Sequence, residues 1–162
     1  MLIRDAHSDD AAAIVRIYNP YITDTCITFE TEAVTAATMQ GRMQDVQQAG
    51  LPYFVCEVQG EVVGYAYATP WKARAAYRQS VESSVYLAPD AQGKGVGSAL
   101  YQALLAKLHH INIHAVIGGI ALPNDASIAL HERLGFAYVG KFEQVGFKHG
   151  RWVDVGYWQR IL

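Results

Sequence analysis

A glycine-rich stretch between a strand-like segment and a long amphipathic helix constrains this chain more than any other feature. Residues 92–98 read QGKGVGS and follow a β-branched segment over residues 81–87. From Val96 to Ile111, apolar residues recur every three or four positions, which predicts a helix with one face packed on a sheet. Glycines let the backbone approach a ligand closely, and a helix start favours an anion. The stretch therefore predicts a turn that binds a pyrophosphate.

Three other interpretations of this stretch are possible. A tight turn without a ligand stays open, because a short motif alone has many false matches. A nicotinamide dinucleotide site is disfavoured, since the acidic residue expected about 20 positions later is absent and residues 115–119 are uncharged. A nucleotide triphosphatase is disfavoured more strongly, because that loop needs Lys and Ser or Thr after its last glycine, whereas this chain has Gly97-Ser98.

The order of predicted elements indicates a mixed α/β domain of α+β character. Antiparallel hairpins are combined with one crossover, which excludes a doubly wound sheet. The length fits one domain over residues 1–162. The predicted strands cover residues 2–4, 53–58, 61–69, 81–87, 115–122 and two segments around the turn at 148–150. The predicted helices run from a cap at 8–10 to Asn19-Pro20, over 35–49, 96–111 and 125–134, with a loop at 21–34 and a polar linker at 71–79.

Composition narrows the classes of partner. The net charge is −2 and the basic residues are scattered, so neither nucleic acid nor a membrane surface is expected as a partner. No signal-peptide pattern or membrane-length apolar run is seen, which predicts a cytoplasmic protein. Cys26 and Cys56 lie in no paired motif and are expected to be reduced and structural. The histidines at 109, 110 and 114 lack the spacing of a metal site, so no metal is expected.

A second motif carries a resemblance to a known family. Residues 124–136 read NDASIALHERLGF and follow the glycine-rich stretch by about thirty positions. Together the two motifs resemble the acyl-CoA signature of GNAT N-acetyltransferases. The segments at 71–74, 81–87 and 146–156 are similar to phosphinothricin and methionine sulfoximine N-acetyltransferases. The resemblance implies the GNAT fold, a central twisted mixed sheet of about seven strands flanked by about four helices, with acetyl-CoA as the acetyl donor.

The resemblance also implies which residues bind acetyl-CoA. The glycine-rich turn would hold the pyrophosphate, the strand before it would position the acetyl-pantetheine arm, and a side chain at the start of the later helix would contact CoA. Backbone donors near Val85 and Leu87 would polarise the thioester carbonyl. The residues implied are Val85, Tyr86, Leu87, Gly93, Lys94, Gly95, Val96, Gly97, Ser98 and Asn124.

Acetyl transfer to an amine needs a neutral nucleophile, so a group must accept a proton. Glu82 matches the family's carboxylate base, and strand periodicity puts it on the same face as Ser84 and Tyr86. His131 matches the position of a general acid for the leaving thiolate. A salt-bridged glutamate and a packed helical histidine are the structural alternatives. For the acceptor, the candidates are Phe29, Lys72, Arg74 and Tyr77, the two basic residues serving a carboxylate.

The expected activity is direct N-acetylation of a small amino-acid-like substrate in a ternary complex. The family resemblance also implies a homodimer whose subunits border each other's acceptor pockets. One alternative is a GNAT enzyme for another amine, such as an aminoglycoside, a polyamine or a protein N-terminus, because acceptor loops vary on a shared fold. The other is an acyl-CoA-binding sensor without catalysis.

Overall fold

The computed structural model describes residues 1–162, and the elements follow one another as the sequence predicts. The strands are β1 (Leu2–Asp5), β2 (Tyr53–Val58), β3 (Glu61–Pro70), β4 (Ser80–Leu87), β5 (Ala115–Ala121), β6 (Ala137–Lys148) and β7 (Arg151–Ile161). The helices are α1 (Ala11–Asp24), α2 (Ala36–Gln48), α3 (Val96–His110) and α4 (Asp125–Arg133). The predicted mixed fold is confirmed.

All seven strands form one sheet in the order β1-β2-β3-β4-β5-β7-β6. Every neighbouring pair is antiparallel except β4 and β5, which are parallel because α3 carries the chain back between them. Strands that run parallel present their carboxyl ends at the same edge of a sheet. As a result, α3 and α4, which follow β4 and β5, both begin at that edge.

Two apolar cores cover the two faces of the sheet. On one face, α1 and α2 pack over β2 and β3 through fully buried Ile14, Ile22 and Met43. On the other face, α3 packs through Leu100, Leu104 and Leu108, the stripe that the helical periodicity predicts. The buried face of α3 is wider than predicted, since Tyr101 and Leu105 are also buried. Tyr101 matters for the site described below.

The first helix does not end at Asn19-Pro20, so that prediction is wrong. α1 continues through Pro20 to Asp24. Proline removes one helical hydrogen bond, but the turn beyond it is held by tertiary contacts. Ile22 is fully buried, and the Tyr21 hydroxyl donates to the Leu87 carbonyl oxygen at 2.6 Å. Tertiary packing therefore outweighs the local break.

Two smaller predictions near turns also need correction. Residues Ser8–Asp10 form a separate 3-10 turn before α1, and the Asp10 carboxylate pairs with Arg4 at 2.8 Å and accepts from the His7 amide. The predicted linker at 71–79 contains a 3-10 turn at Ala75–Tyr77. No helix in the fold combines the length and the apolarity that crossing a membrane demands.

Candidate active site

The site is built around the divergence of β4 and β5. These strands pair only from Ser80 opposite Ala115 to Glu82 opposite Ile117, although both continue well beyond. The β3–β4 ladder includes bonds from Ala88 N to Val63 O and from Trp71 N to Ser80 O. Because bonded pairs alternate along an antiparallel ladder, the amides at 82, 84 and 86 face β3 and those at 83, 85 and 87 face away. The amides at 85 and 87 therefore face the gap between the strands.

A small cavity of about 60 Å³ occupies this gap. Its wall combines backbone of both strands with side chains of α3 and α4, among them Ser83, Val85, Tyr101, Gly119, Asn124 and His131. The gap is therefore narrow, lined by polar groups, and bordered by two unpaired strand amides. Such a slot suits an extended arm that needs hydrogen bonds to backbone and a polar end for its reactive group.

The glycine-rich turn lies at the edge where α3 and α4 begin. Gly93 and Gly95 have φ values of 71° and 82°, a left-handed conformation that favours glycine, and a Cβ at either would meet no atom within 4 Å. Val96, Gly97 and Ser98 form the first turn of α3, whose amides have no helical acceptor. Lys94 is exposed beside them. An open helix start with a basic neighbour fits a pyrophosphate.

Asn124 begins the second helix at this edge. Its side-chain oxygen accepts from the Ser127 amide at 3.1 Å and so caps α4. Asn124 also lines the cavity between the strands, as do Val85 and Tyr86 of the predicted donor-binding set. The structure thus places most of the predicted acetyl-CoA residues along one continuous path, from the turn at 93–98 to the gap.

Glu82 lies on the face of the sheet that α1 and α2 cover. It sits where β4 and β5 stop pairing, and a Cβ placed on Gly119 would lie 3.3 Å from Glu82 Oε1. Burial raises the pKa of the Glu82 carboxyl above its usual value, and nearby Lys72 opposes the shift. No side chain hydrogen-bonds or pairs with Glu82 in the structure. A half-buried, unpaired carboxylate with a raised pKa is suited to accept a proton.

His131 lies on the opposite face, buried against β5. Its Nδ1 is 2.7 Å from the Ser127 carbonyl oxygen, which can only accept, so we assign the proton to Nδ1. Nε2 lies 2.9 Å from the Tyr101 hydroxyl, which lies 2.5 Å from Ser83 Oγ. Burial lowers the pKa of His131 below 6.5, so the ring is neutral at neutral pH. Nε2 of the neutral ring accepts from Tyr101 and does not itself donate into the gap.

The Ser83–Tyr101–His131 chain was missed by sequence reasoning. Tyr101 falls on the buried stripe of α3, where an aromatic residue is expected to be core, and its partners come from β4 and α4. Gly118 makes the contact possible, because a Cβ there would lie 2.6 Å from His131 Nε2. The only signal in the sequence was the pair Gly118-Gly119 inside an otherwise apolar strand, which indicates close approach of another group.

The predicted acceptor residues fall into two groups. Lys72 lies 4.9 Å from the centre of the Trp71 ring, and Trp71 in turn packs edge-on against Tyr157, a neighbour of Glu82. Lys72 is thereby brought to the Glu82 side of the sheet. Arg74 and Tyr77 lie on the exposed turn at 74–78, and no side-chain bond ties them to Glu82. Tyr157 is an additional residue of this face that sequence reasoning missed.

The loop that carries Phe29 is held by a buried lysine. Lys148, at the end of β6, donates from Nζ to the Thr28 carbonyl oxygen at 2.7 Å, and burial lowers the pKa of its amine. Glu30 accepts from the Tyr18 hydroxyl and pairs with Arg42 at 2.6 Å, which lowers the pKa of the Glu30 carboxyl. The Phe29 ring packs on Gly146 of the β6–β7 hairpin. The loop at 25–35 is therefore fixed against both α2 and the hairpin.

The grouping of ligand-type side chains does not resemble a metal centre. No three His, Cys, Asp or Glu side chains lie together in the way that a metal site requires. His109 and His110 occupy the last turn of α3, where they face the negative end of the helix. Cys26 and Cys56 are both free thiols.

Comparison with known proteins agrees with this geometry. Residues 3–156 match the family described as Acetyltransferase (GNAT) domain. A phosphinothricin N-acetyltransferase of Streptomyces viridochromogenes is 44% identical over 158 residues, which cover 98% of this chain and 86% of the relative. The chain therefore belongs to the GNAT acetyltransferase family and is an N-acetyltransferase. Phosphinothricin and methionine sulfoximine N-acetyltransferases are among its similar relatives.

Solved structures give the same assignment. A phosphinothricin acetyltransferase from Sinorhizobium meliloti in complex with acetyl-CoA has a TM-score of 0.96 and 39% identity, covering 99% of this chain and 88% of that one. A ribosomal-protein-alanine N-acetyltransferase from Brucella melitensis has a TM-score of 0.97 and 37% identity, covering all of both chains. The two neighbours are named for different acceptors, although they share one fold.

Proposed function

We propose that residues 1–162 form a single catalytic domain that acetylates the amino group of small amino-acid-like acceptors, such as phosphinothricin or methionine sulfoximine and sulfone. The donor is acetyl-CoA, which supplies the acetyl group as a thioester. One observation carries the proposal: Glu82 and the Ser83–Tyr101–His131 chain approach the β4–β5 gap from opposite faces of the sheet. A proton acceptor for the amine and a polar group for the leaving sulfur are thereby separated.

On the first face, Glu82 accepts the proton that the acceptor ammonium must lose, directly or through one water. Its raised pKa brings the carboxylate closer to the pKa of an amine than an exposed glutamate would be, which strengthens it as a base. The Val85 and Leu87 amides face the gap and donate to the carbonyl oxygen where negative charge develops. The chain needs no covalent enzyme intermediate and no metal for these steps.

On the second face, we assign His131 a role through Tyr101. When Nε2 of His131 binds a proton, it can donate to the Tyr101 oxygen while the Tyr101 hydroxyl proton passes to the leaving sulfur. Tyr101 ends as a neutral phenol, which avoids a buried phenolate, a form that burial strongly disfavours. Because the ring is neutral at rest, the proton on Nε2 has to come from solvent, and taking it up is unfavourable above the lowered pKa of His131. The following transfer to the thiolate is favourable, because a thiol pKa near 8.5 lies above the pKa of His131.

The acceptor is held on the Glu82 face. Lys72 and Arg74 provide positive charge for a carboxylate, and Tyr77 of the same segment provides an apolar wall. Phe29 provides a second apolar wall from the loop that packs on Gly146 of β6. This mixture of charges does not favour a polyamine or an aminoglycoside, which need several carboxylates. An amino acid offers the matching pair of an amine for Glu82 and a carboxylate for the basic residues.

We further propose a homodimer that acts in the cytoplasm, where Cys26 and Cys56 stay reduced. β6 is an edge strand of the sheet and bears large exposed apolar side chains, including Phe142 at 62% and Phe147 at 58% exposure. An uncovered edge of this kind is typical of an interface. Sedimentation of the wild type should give the mass of two chains, and a Phe142→Glu/Phe147→Glu variant should give one. A monomeric wild type would contradict the dimer.

The activity is tested by thiol release from acetyl-CoA against a panel of amines. The panel contains phosphinothricin, methionine sulfoximine, methionine sulfone, spermidine, kanamycin and a peptide with a ribosomal-protein N-terminus. Turnover of the first three supports the proposal. Turnover of another amine alone would retain the enzyme class and overturn the acceptor, and saturable binding of CoA with no turnover would indicate a sensor.

A second candidate is acetylation of a protein N-terminus. The similarity to the ribosomal-protein-alanine N-acetyltransferase over the whole of both chains favours it. Under this alternative, the peptide of the panel should be the best acceptor and should compete with methionine sulfone. The exposed cationic side chains of Lys72 and Arg74 favour the free amino acid instead, because an internal peptide unit has no carboxylate at that position.

A further inference from the structure

An exposed glycine lies in the middle of the sheet. β5 has β4 on one side and β7 on the other, yet Gly119 of β5 is exposed to solvent. An exposed residue in a central strand means that the face of the sheet above it is open. The φ angle of Gly119 does not lie in the left-handed region, so its backbone conformation does not require glycine. The glycine is therefore explained by the space that it leaves.

The space above Gly119 is bordered by the proposed base. A Cβ at this position would lie 3.3 Å from Glu82 Oε1 and 3.2 Å from Tyr157 Cε1, so one atom between these two groups can contact both. Tyr157 lies directly opposite Gly119 in the β5–β7 ladder, and Glu82 lies where β4 and β5 stop pairing. We call this space the glycine niche: Gly119 is its floor, and Glu82 and Tyr157 are its walls.

The Tyr157 wall is held in place by two other aromatic rings. Trp71, which follows β3, and Phe142 of β6 both pack nearly perpendicular to the Tyr157 ring, with ring centres 6.1 and 5.8 Å away. A ring that contacts two others from neighbouring elements has few alternative rotamers. Burial and the nearby Glu82 charge raise the pKa of the Tyr157 hydroxyl, so the ring stays a neutral phenol. Tyr157 is therefore a fixed and uncharged wall.

The valences of the reacting nitrogen match the surroundings of the niche. Gly119 also lines the cavity in the β4–β5 gap, so the niche opens toward the proposed place of the thioester. The nitrogen lone pair forms the bond to the acetyl carbon on that side, and the electrons of the broken carbon–sulfur bond leave on the sulfur. Glu82 takes one proton from the nitrogen, and the acceptor's own carbon occupies a third valence. The fourth valence faces Tyr157.

Only a hydrogen fits between the nitrogen and the Tyr157 wall. A second carbon substituent would stand about 1.46 Å from the nitrogen, in the direction of the ring. Because Tyr157 Cε1 lies 3.2 Å from the Cβ position of Gly119, a methyl carbon there would overlap the ring. The neighbouring Trp71 and Phe142 rings prevent Tyr157 from turning away.

We propose that the glycine niche holds the nitrogen of the acceptor and restricts the reaction to primary amines, with Tyr157 as the wall that excludes a second carbon substituent. The inference rests on the proposed acetyltransferase activity, in which Glu82 is the base, and it adds Gly119 and Tyr157 as residues that contact the reacting group. The niche contacts the amine alone, so it accepts anionic and uncharged acceptor side chains alike.

The test compares phosphinothricin with its N-methyl derivative, which differ by one methyl on the reacting nitrogen. The wild type should prefer the primary amine by roughly 100-fold in kcat/KM. Tyr157→Ala removes the wall and should reduce this preference by at least about tenfold, whereas Tyr157→Phe keeps the wall and should retain it. The ratio of the two kcat/KM values is informative because a change in stability or donor affinity affects both acceptors equally.

Filling the niche from its floor gives a second test. Gly119→Ala places a methyl group between Glu82 and Tyr157 and should lower kcat/KM for phosphinothricin by roughly 100-fold, because the amine is displaced from the base. The Kd for acetyl-CoA, measured by calorimetry, should change little. Gly41→Ala on α2 is the matched control, since a Cβ there meets no atom within 4 Å, and it should change neither constant.

The outcomes separate the niche from the proposed function. A wild type that acetylates both acceptors equally, or a folded Tyr157→Ala variant with an unchanged preference, would overturn the niche and leave the acetyltransferase proposal intact. Absence of turnover with phosphinothricin in the wild type would overturn the proposed acceptor and the niche together. If Gly119→Ala does not fold, the Tyr157 variants decide, because Tyr157 is only partly buried.

Discussion

Replacing Tyr101 by phenylalanine tests how His131 reaches the reacting atoms. The substitution removes one oxygen, which joins Ser83 Oγ at 2.5 Å to His131 Nε2 at 2.9 Å. Ser83 would keep only the Ile117 carbonyl at 3.4 Å, and the buried Nε2 would have no donor. A buried acceptor left without a partner costs about 1–3 kcal/mol. For a domain of this size, roughly 2 kcal/mol corresponds to a fall in Tm of about 4–8 °C.

The effect on catalysis should be larger than the effect on stability. If proton transfer to the sulfur runs from His131 through Tyr101, the variant loses general-acid assistance, which is worth about a hundredfold or more in kcat. Thiol release from acetyl-CoA under saturating donor and acceptor measures this loss, and differential scanning fluorimetry measures Tm. The KM for acetyl-CoA should change little, because the Tyr101 hydroxyl bonds to Ser83 and His131 and not to the amides of the turn at 93–98.

A double variant separates a relay from two independent roles. If His131 acts only through Tyr101, Tyr101→Phe/His131→Gln should be hardly slower than either single variant, since both changes break the same chain. If the loss of kcat in the double variant equals the product of the losses in the two single variants, His131 acts directly. A Tyr101→Phe enzyme with kcat within threefold of the wild type would refute the relay altogether.

Three further predictions concern Glu82, His131 and the glycine-rich turn. Glu82→Gln should lower kcat by about a hundredfold or more at neutral pH, with an unchanged KM for acetyl-CoA. Because the pKa of Glu82 is raised in the folded protein, the stability of the wild type falls as the pH rises above 4.5, so this variant should unfold at a Tm no lower than that of the wild type at pH 7. A large fall in Tm with activity retained would contradict the role of Glu82 as base. The pKa of His131 is lowered in the folded protein, so the unfolded chain binds an additional proton and stability should be lost as the pH falls below 6.5. The decrease in Tm between pH 7 and 5 should therefore be smaller in His131→Asn than in the wild type. An equal decrease would count against burial of a neutral ring. Gly95→Ala places a Cβ on a residue with a φ of 82°, which costs about 1–2 kcal/mol. This variant should raise the KM for acetyl-CoA several-fold and change the KM for the acceptor little. A raised acceptor KM with an unchanged KM for acetyl-CoA would show that the turn does not bind the donor.

Local patterns in the sequence predicted the elements and the position of the glycine-rich turn at a helix start, but not the arrangement across the sheet. Helical periodicity identified α3, and the turn at 92–98 was placed at a helix start because its glycines and the following apolar stripe lie within one short segment. Strand periodicity also placed Glu82 on one face with Ser84 and Tyr86. The end of α1 was predicted wrongly at Pro20, because the burial of Ile22, which stabilises the helix beyond the proline, cannot be seen from the proline itself. Where contacts between residues distant in sequence stabilised the backbone, they outweighed the local sequence preference.

The residues that sequence reasoning missed share a physical cause. Tyr101 meets Ser83 and His131 from sequence separations of 18 and 30 residues, and Tyr157 reaches the Glu82 face from β7. A buried tyrosine with a functional hydroxyl and one that only fills a core have the same place in an apolar stripe. Only the partners of the hydroxyl distinguish them, and those partners lie on other elements.

The proposed chemistry depends on which face of the sheet each residue of β4 and β5 occupies. In β4, successive side chains alternate between faces, so Glu82 faces α1 and α2 while Ser83 faces α3. In β5, the consecutive glycines provide space on both faces: a Cβ on Gly118 would lie 2.6 Å from His131, and one on Gly119 would lie 3.3 Å from Glu82 and 3.2 Å from Tyr157. A shift of one residue in β4 would put the proposed base, Glu82, on the same face as His131. In the proposed mechanism, the register of the diverging strands separates proton removal from proton delivery. Two adjacent glycines are needed, because each face must admit a side chain against the same strand.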